Sequence, residues 1–338
     1  MLRRLFLALS IAIAIGPVPG TVLRTPPRSQ SQQIVATHLS LEPASSTELG
    51  GASVAEAWVI DSPNSDFGGY SALALSGDRQ FILASDTGKI ARLTLARDGT
   101  VSRPFIGALA AGPGVGKGKG ARDLESLTSG GPNGAVWAGY EHSNQIWRFN
   151  HDLSRAQGHV GPRIMREWNS NGGAESLARL SDGRFLVLAE TTGGPHGGTA
   201  GLLFAADPVA HPRAVPLSFS YDSQGKGRAT DAVQLPGGMV LILHRSLTLF
   251  GPWISTLAIA DPAQIRADRP WHSRTIATFT RPYLSENFEG LALDVGADAN
   301  APRPSVWMVS DDNIANWQRT VLLKISLPDG VMRAPAHR

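Results

Sequence analysis

The chain has 338 residues, of which only 17% are charged, with 37 glycines, 23 prolines, no cysteine and a formal net charge of +3. The lack of cysteine excludes a disulfide framework, a thiolate metal site and a cysteine nucleophile. The small net charge, carried largely by terminal arginines (Arg3, Arg4, Arg24, Arg28, Arg333, Arg338), excludes the basic stripe of a nucleic-acid binder; the glycine and proline content suits short strands joined by turns.

The opening "MLRRLFLALSIAIAIGPVPG" sets two arginines before an apolar run over residues 5–15, which predicts a signal peptide over residues 1–24 and a periplasmic or secreted protein. That run is too short to span a bilayer, so no membrane span is expected in the mature chain. Pro17 and Pro19 obscure the cleavage site, which leaves an uncleaved amino-terminal anchor as the other reading. Residues 25–50 are rich in Ser, Gln and Pro and read as a linker with one early strand near 34–41.

From residue 51 to 330 one pattern recurs: an apolar strand, a Gly/Asp/Pro turn, a second apolar strand, a gap and a third strand. Its copies begin "YSALALSGDRQFILASD", "LESLTSGGPNGAVWAGYE", "AESLARLSDGRFLVLAE", "TDAVQLPGGMVLILHR" and "FEGLALDVGADANAPRPSVWMVSDD". The turns "SGD", "GPNG", "SDG" and "PGG" supply residues that tolerate positive φ between paired strands. Taking Tyr70, Glu125, Glu175, Asp231 and Glu289 as equivalent, the steps are 55, 50, 56 and 58 residues. Spacing near fifty residues with room for four strands predicts an all-β, five-bladed β-propeller. A sixth, degenerate blade is left open. Blade five carries the insertion "DVGADANAPRP", and "SVAEAWVID" near the amino terminus would supply its fourth strand and close the ring. A β-sandwich does not predict the equal spacing.

In a propeller the inner strands line one channel, so equivalent positions meet. The first set, Tyr70, Glu125, Glu175, Asp231 and Glu289, is acidic at four of five places. A second set ends the second strand of each blade: Asp86, Glu141, Glu190, Arg245 and Asp311. Hairpin pairing places the two sets at the same end of each blade. Up to eight facing carboxylates need a compensating positive charge. A hard cation such as Ca²⁺, which takes 6 to 8 oxygen ligands, would supply it, and so would Arg122 and Arg228, each three residues before a first-set acid, with Lys119 and Lys226 close by. The expected metal ligands are Glu125, Glu141, Glu175, Glu190, Asp231, Glu289 and Asp311; the expected catalytic set is Glu175, Glu190, Arg122 and Arg228. The competing reading of the same residues is a structural ion network that holds the blades together.

Other motifs carry less. "GPGVGKGKGARD" lacks the Ser or Thr and the spacing of a phosphate loop and reads as a flexible loop over the funnel. There is no G-x-S-x-G elbow and no H-E-x-x-H. His142 and His244 flank second-set positions and are candidates for ligands or proton carriers, and His196 sits in the loop "GGPHGG". Trp137 and Trp307 occupy matching second-strand places and read as packing between blades.

The segments "DLESL", "GGAESLA" with "LAE" after the next strand, and above all "NFEGLAL" followed by "WMVSDDN" resemble the phytase-like family, the esterase-like activity of phytase, over about residues 55–328. The resemblance implies an exported propeller distantly similar to calcium-dependent propeller phytases, with Glu125, Glu175, Glu190, Glu289 and Asp311 at the family's acidic positions. Tyr70 and Arg245 depart from that pattern. The expected function is Ca²⁺-dependent hydrolysis of phosphate or related esters of a small anionic substrate by a monomer, with a water activated by the ion attacking and Arg122 and Arg228 neutralising substrate charge. A non-catalytic funnel binding a ligand or envelope partner and a lactonase-like hydrolase are the alternatives.

Overall fold

The computed structural model describes residue 24 and residues 28–41, 49–114, 122–130, 134–247, 252–280, 284–294 and 304–331. Lys119, most of the "GPGVGKGKGARD" loop, residues 1–23 of the expected leader and the core of the blade-five insertion lie outside them.

Five antiparallel sheets follow one another along the chain. Blade one is built from Tyr70–Gly77, Gln80–Ser85, Lys89–Leu95 and Val101–Ala108. Blade two uses Leu124–Ser129, Val136–Tyr140, Gln145–Phe149 and Ala156–Val160. Blade three uses Ala174–Arg179, Phe185–Gly193, Thr199–Phe204 and Leu217–Asp222, with the short Pro270–His272 added in parallel at its outer edge. Blade four uses Arg228–Gln234, Val240–Leu247, Trp253–Ala260 and Arg274–Phe279. Blade five runs from Phe288–Leu293 through Ser305–Ser310 and Val321–Ser326. Ser53–Asp61 then pairs antiparallel with Val321–Ser326, and Val35–His38 pairs with Ser53–Asp61 in turn.

The first strand of each blade touches the first strands of both neighbours, and that of blade five returns to blade one. This closed ring of inner strands is a five-bladed β-propeller. The sequence explains why the sheets stack. Middle strands such as "VLILHRSL" are apolar at successive positions, so both faces are buried. Val240 and Ile242 enter the cluster between blades three and four, while Leu241 and Leu243 enter that between four and five. Phe185 and Val187 likewise pack toward blade two, and Leu186 and Leu188 toward blade four. Five apolar clusters result, one at each seam between blades. Trp137 meets Phe185 of the next blade edge-on at 4.9 Å, and Trp307 meets Phe81 at 4.9 Å; both indoles pack between blades, as their matching positions predict.

A feature that the strand periodicity hides shapes the funnel. Each inner strand carries a β-bulge near its start, where one residue has no partner across the hairpin. Tyr70 pairs with Ser85 and Ala72 with Ala84, leaving Ser71; the same break leaves Glu125, Glu175, Thr230 and Glu289. The equivalents of the three glutamates are therefore Ser71 and Thr230. Tyr70 and Asp231 each lie one residue out of register with the glutamates, and their side chains go elsewhere.

Candidate functional site

The second-strand ends are equivalent as the spacing predicts. Ser85, Tyr140, Ala189, His244 and Ser310 each pair with the residue before a bulge, so Asp86, Glu141, Glu190, Arg245 and Asp311 follow at one level of the funnel. The amides of Glu141, Glu190 and Asp311 donate to the carbonyls of Asp123 (2.8 Å), Gly173 (3.0 Å) and Asn287 (2.9 Å). Arg245 pairs with Arg228 at the same level. Paired strand ends thus bring Glu175 and Glu190 close enough for each charge to act on the other.

On the side of blades two and three, three acids gather in one group. Asp123, Glu125 and Glu141 are all buried, and one carboxylate oxygen from each lies within 4.8 Å of the others. The Asp123 and Glu141 side chains are hydrogen-bonded to each other, and Glu141 also accepts from the Gly172 amide. Burial first, then the Asp123 charge, raises the Glu141 carboxyl to about 7. Gly172 has φ +133° and a Cβ there would strike the Thr191 hydroxyl, so glycine alone brings that amide to Glu141. Glu175 is buried at the same funnel, and its Oε2 has no hydrogen-bond partner among the described residues. Burial, then the charges of Glu190 and Glu141, push its carboxyl well above the ordinary carboxylate range, with Arg245 acting the other way.

On the side of blades four and five the charges are paired. Arg245 donates through Nη2 to Glu190 Oε1 at 3.1 Å and through Nη1 to Asn287 Oδ1 at 3.0 Å, and forms an ion pair with Glu289 Oε1. Asn287 Nδ2 donates to the same Glu289 oxygen at 2.9 Å. Arg228 Nη1 holds Glu190 Oε2 at 3.0 Å while its side chain stays 59% exposed. Gly227 precedes it with φ +101°, and a Cβ there would fall 2.3 Å from the Arg245 carbonyl oxygen, so this close entry of the chain requires glycine.

Several sequence expectations are corrected. Asp231 is not a funnel ligand: its Oδ2 accepts from the Leu291 amide and its Oδ1 from the Ala232 amide, both at 2.8 Å, which ties blade four to blade five. Burial raises its pKa, against the two amides. Tyr70 is packed wholly inside the cluster between blades five and one. Arg122 is not the counterpart of Arg228. With the bulges in register Asp123 is, and Arg122 Nη1 donates to the Leu109 carbonyl at 3.1 Å. His244 is buried away from solvent against Tyr221 (Oη to Nε2, 2.7 Å), and burial lowers its pKa to about 4. His142 and His196 are exposed. Asp311 is buried at the rim and accepts from the Asn313 amide at 2.7 Å. Within the expected ring of eight acids, Glu190 and Glu289 are thus already paired with arginine. Sequence reasoning missed Asp123, whose signal is its place two residues before a bulged glutamate.

An all-oxygen donor set of Asp123, Glu125 and Glu141 suits a hard divalent cation such as Ca²⁺. Residues 65–314 match the family described as phytase-like, esterase-like activity of phytase. No curated protein matches the chain. Among solved structures, the α-L-arabinofuranosidase of Podospora anserina in complex with cellotriose is 10% identical, with 78% of this chain and 93% of that chain covered at a TM-score of 0.46. The PQQ-bound aldose sugar dehydrogenase of Streptomyces coelicolor is 12% identical over 77% and 95% at 0.42. Hydrazine synthase of Kuenenia stuttgartiensis is 12% identical over 74% and 78% at 0.39.

Proposed function

The chain belongs to the phytase-like family, and from that premise we propose that it is an exported, divalent-cation-dependent hydrolase of phosphate or related esters acting in the funnel. The observation that carries this reading is the buried acid group of Asp123, Glu125 and Glu141, with Glu175 Oε2 lacking a hydrogen-bond partner among the described residues and the exposed Arg228 guanidinium held on Glu190. Asp123, Glu125 and Glu141 would hold the ion. When bound, such an ion supplies Lewis-acid stabilisation of negative charge on an ester oxygen. Glu175 Oε2 is the group that holds or passes a proton, because its burial favours the neutral form. Arg228 meets the substrate's anionic group, since arginine presents donors matched to oxyanions. Glu190 is clamped by two arginines and orients them rather than attacking.

Among the described residues no helix is long and apolar enough to cross a membrane; export to the periplasm or medium is part of the proposal and rests on the leader-like residues 1–24. The test is hydrolysis of 4-nitrophenyl phosphate and 4-nitrophenyl acetate by chelator-treated protein with and without CaCl₂. Activity that requires the cation and is lost in Glu175→Gln supports the reading. Cation binding without turnover of either ester would instead favour a non-catalytic funnel.

A further inference from the structure

Blade four departs from the others at one level of the funnel. Where its four counterparts carry Asp86, Glu141, Glu190 and Asp311, it carries Arg245. The guanidinium does not point to solvent. Its side chain is 17% exposed, and it faces three oxygens from two other blades: Glu190 Oε1, Asn287 Oδ1 and Glu289 Oε1. Glu190, Asn287 and Glu289 are themselves buried. Two buried carboxylates sharing one place need a positive charge there, and removal of that charge leaves them uncompensated. Two carboxylate oxygens and an amide oxygen gathered around one guanidinium are also the donors that a hard divalent cation takes.

We propose that Arg245 is a built-in cation that limits the funnel to one divalent ion, standing where a second ion would bind between Glu190, Asn287 and Glu289. This rests on the divalent-ion reading of the neighbouring acids, but its test separates the two. Arg228 does not fill the same role, because it reaches only the far oxygen of Glu190 and is largely exposed. The guanidinium also lies over the Trp253 ring, 5.5 Å from its centroid, which offers no charge.

The experiment is Ca²⁺ titration by calorimetry of chelator-treated full-length protein, as wild type, Arg245→Gln, Arg245→Lys and the double variant Arg245→Gln/Glu289→Gln. The expected stoichiometries are one, two, one and one. Should Arg245→Gln unfold in chelator, circular dichroism during the titration reads the same two equivalents as refolding, and Arg245→Lys keeps the charge as a folded control. A stoichiometry for Arg245→Gln no higher than that of the wild type, or two equivalents for the wild type, overturns the inference. No binding by the wild type with one ion gained by Arg245→Gln would remove the first site while leaving the role of Arg245 standing.

Discussion

Raising the pH in the presence of a chelator should weaken this fold. Glu141 has a carboxyl raised to about 7 by burial and the Asp123 charge, against an ordinary value of 4.5 in the unfolded chain. The folded state therefore binds more protons than the unfolded state between those values, so stability is greatest below about pH 4.5 for this group and falls as pH rises through 7. At about 1.4 kcal/mol per pK unit the full shift corresponds to an upper bound of about 3 kcal/mol. Solvent screening brings the expected loss to about 1–2 kcal/mol. Glu175, raised in the same direction, adds to the slope. Urea unfolding at pH 5.0, 6.0, 7.0 and 8.0 with EDTA measures it, and Glu141→Gln should flatten the profile. Millimolar CaCl₂ should reverse it, because an ion bound only to the folded state stabilises by mass action. A chelated wild-type profile that is flat or rises from pH 5 to 8 would refute the reasoning.

The remaining predictions separate site from scaffold. Arg228→Ala removes an exposed guanidinium, so unfolding free energy should change by less than about 1 kcal/mol, while KM for an anionic ester rises about tenfold or more; an unchanged KM would count against its role. Asp231→Asn keeps one acceptor for the two amides at 2.8 Å and should lower stability by about 1–3 kcal/mol with Ca²⁺ stoichiometry intact, whereas a lost equivalent would make it a ligand after all. Trp307→Ala empties the seam against Phe81 and should cost about 3–5 kcal/mol by chemical denaturation, with a cost under 1 kcal/mol contradicting the packing described.

The fold was legible because its signal is coarse. Repeat spacing and tight turns survive single-residue errors, and so did the second-strand ends, where Glu141 and Glu190 stand in regular antiparallel register. The inner set was misaligned at two places because a bulge inserts one residue without altering composition. Aligning on the apolar residue two places past the bulge, Leu73, Leu127, Leu177, Ala232 and Leu291, would have found Ser71 and Thr230. Arg122 and Arg228 looked equivalent only through that error, since their separation from Glu125 and Asp231 differs by one once Thr230 replaces Asp231. The clamp of Arg245 on Glu190 and Glu289 was not legible at all. It depends on the reach of Arg245 across to two other blades, and spacing along the chain does not encode reach.

Calorimetric titration of chelator-treated wild-type protein with CaCl₂, repeated on Glu125→Gln, tests the group of Asp123, Glu125 and Glu141 directly. Saturable binding of one ion in the wild type, lost or weakened at least tenfold in Glu125→Gln, is the expected result. Equal heats for the two proteins, or no binding and no rise in Tm for either, would show that these carboxylates serve the ring of blades and hold no cation.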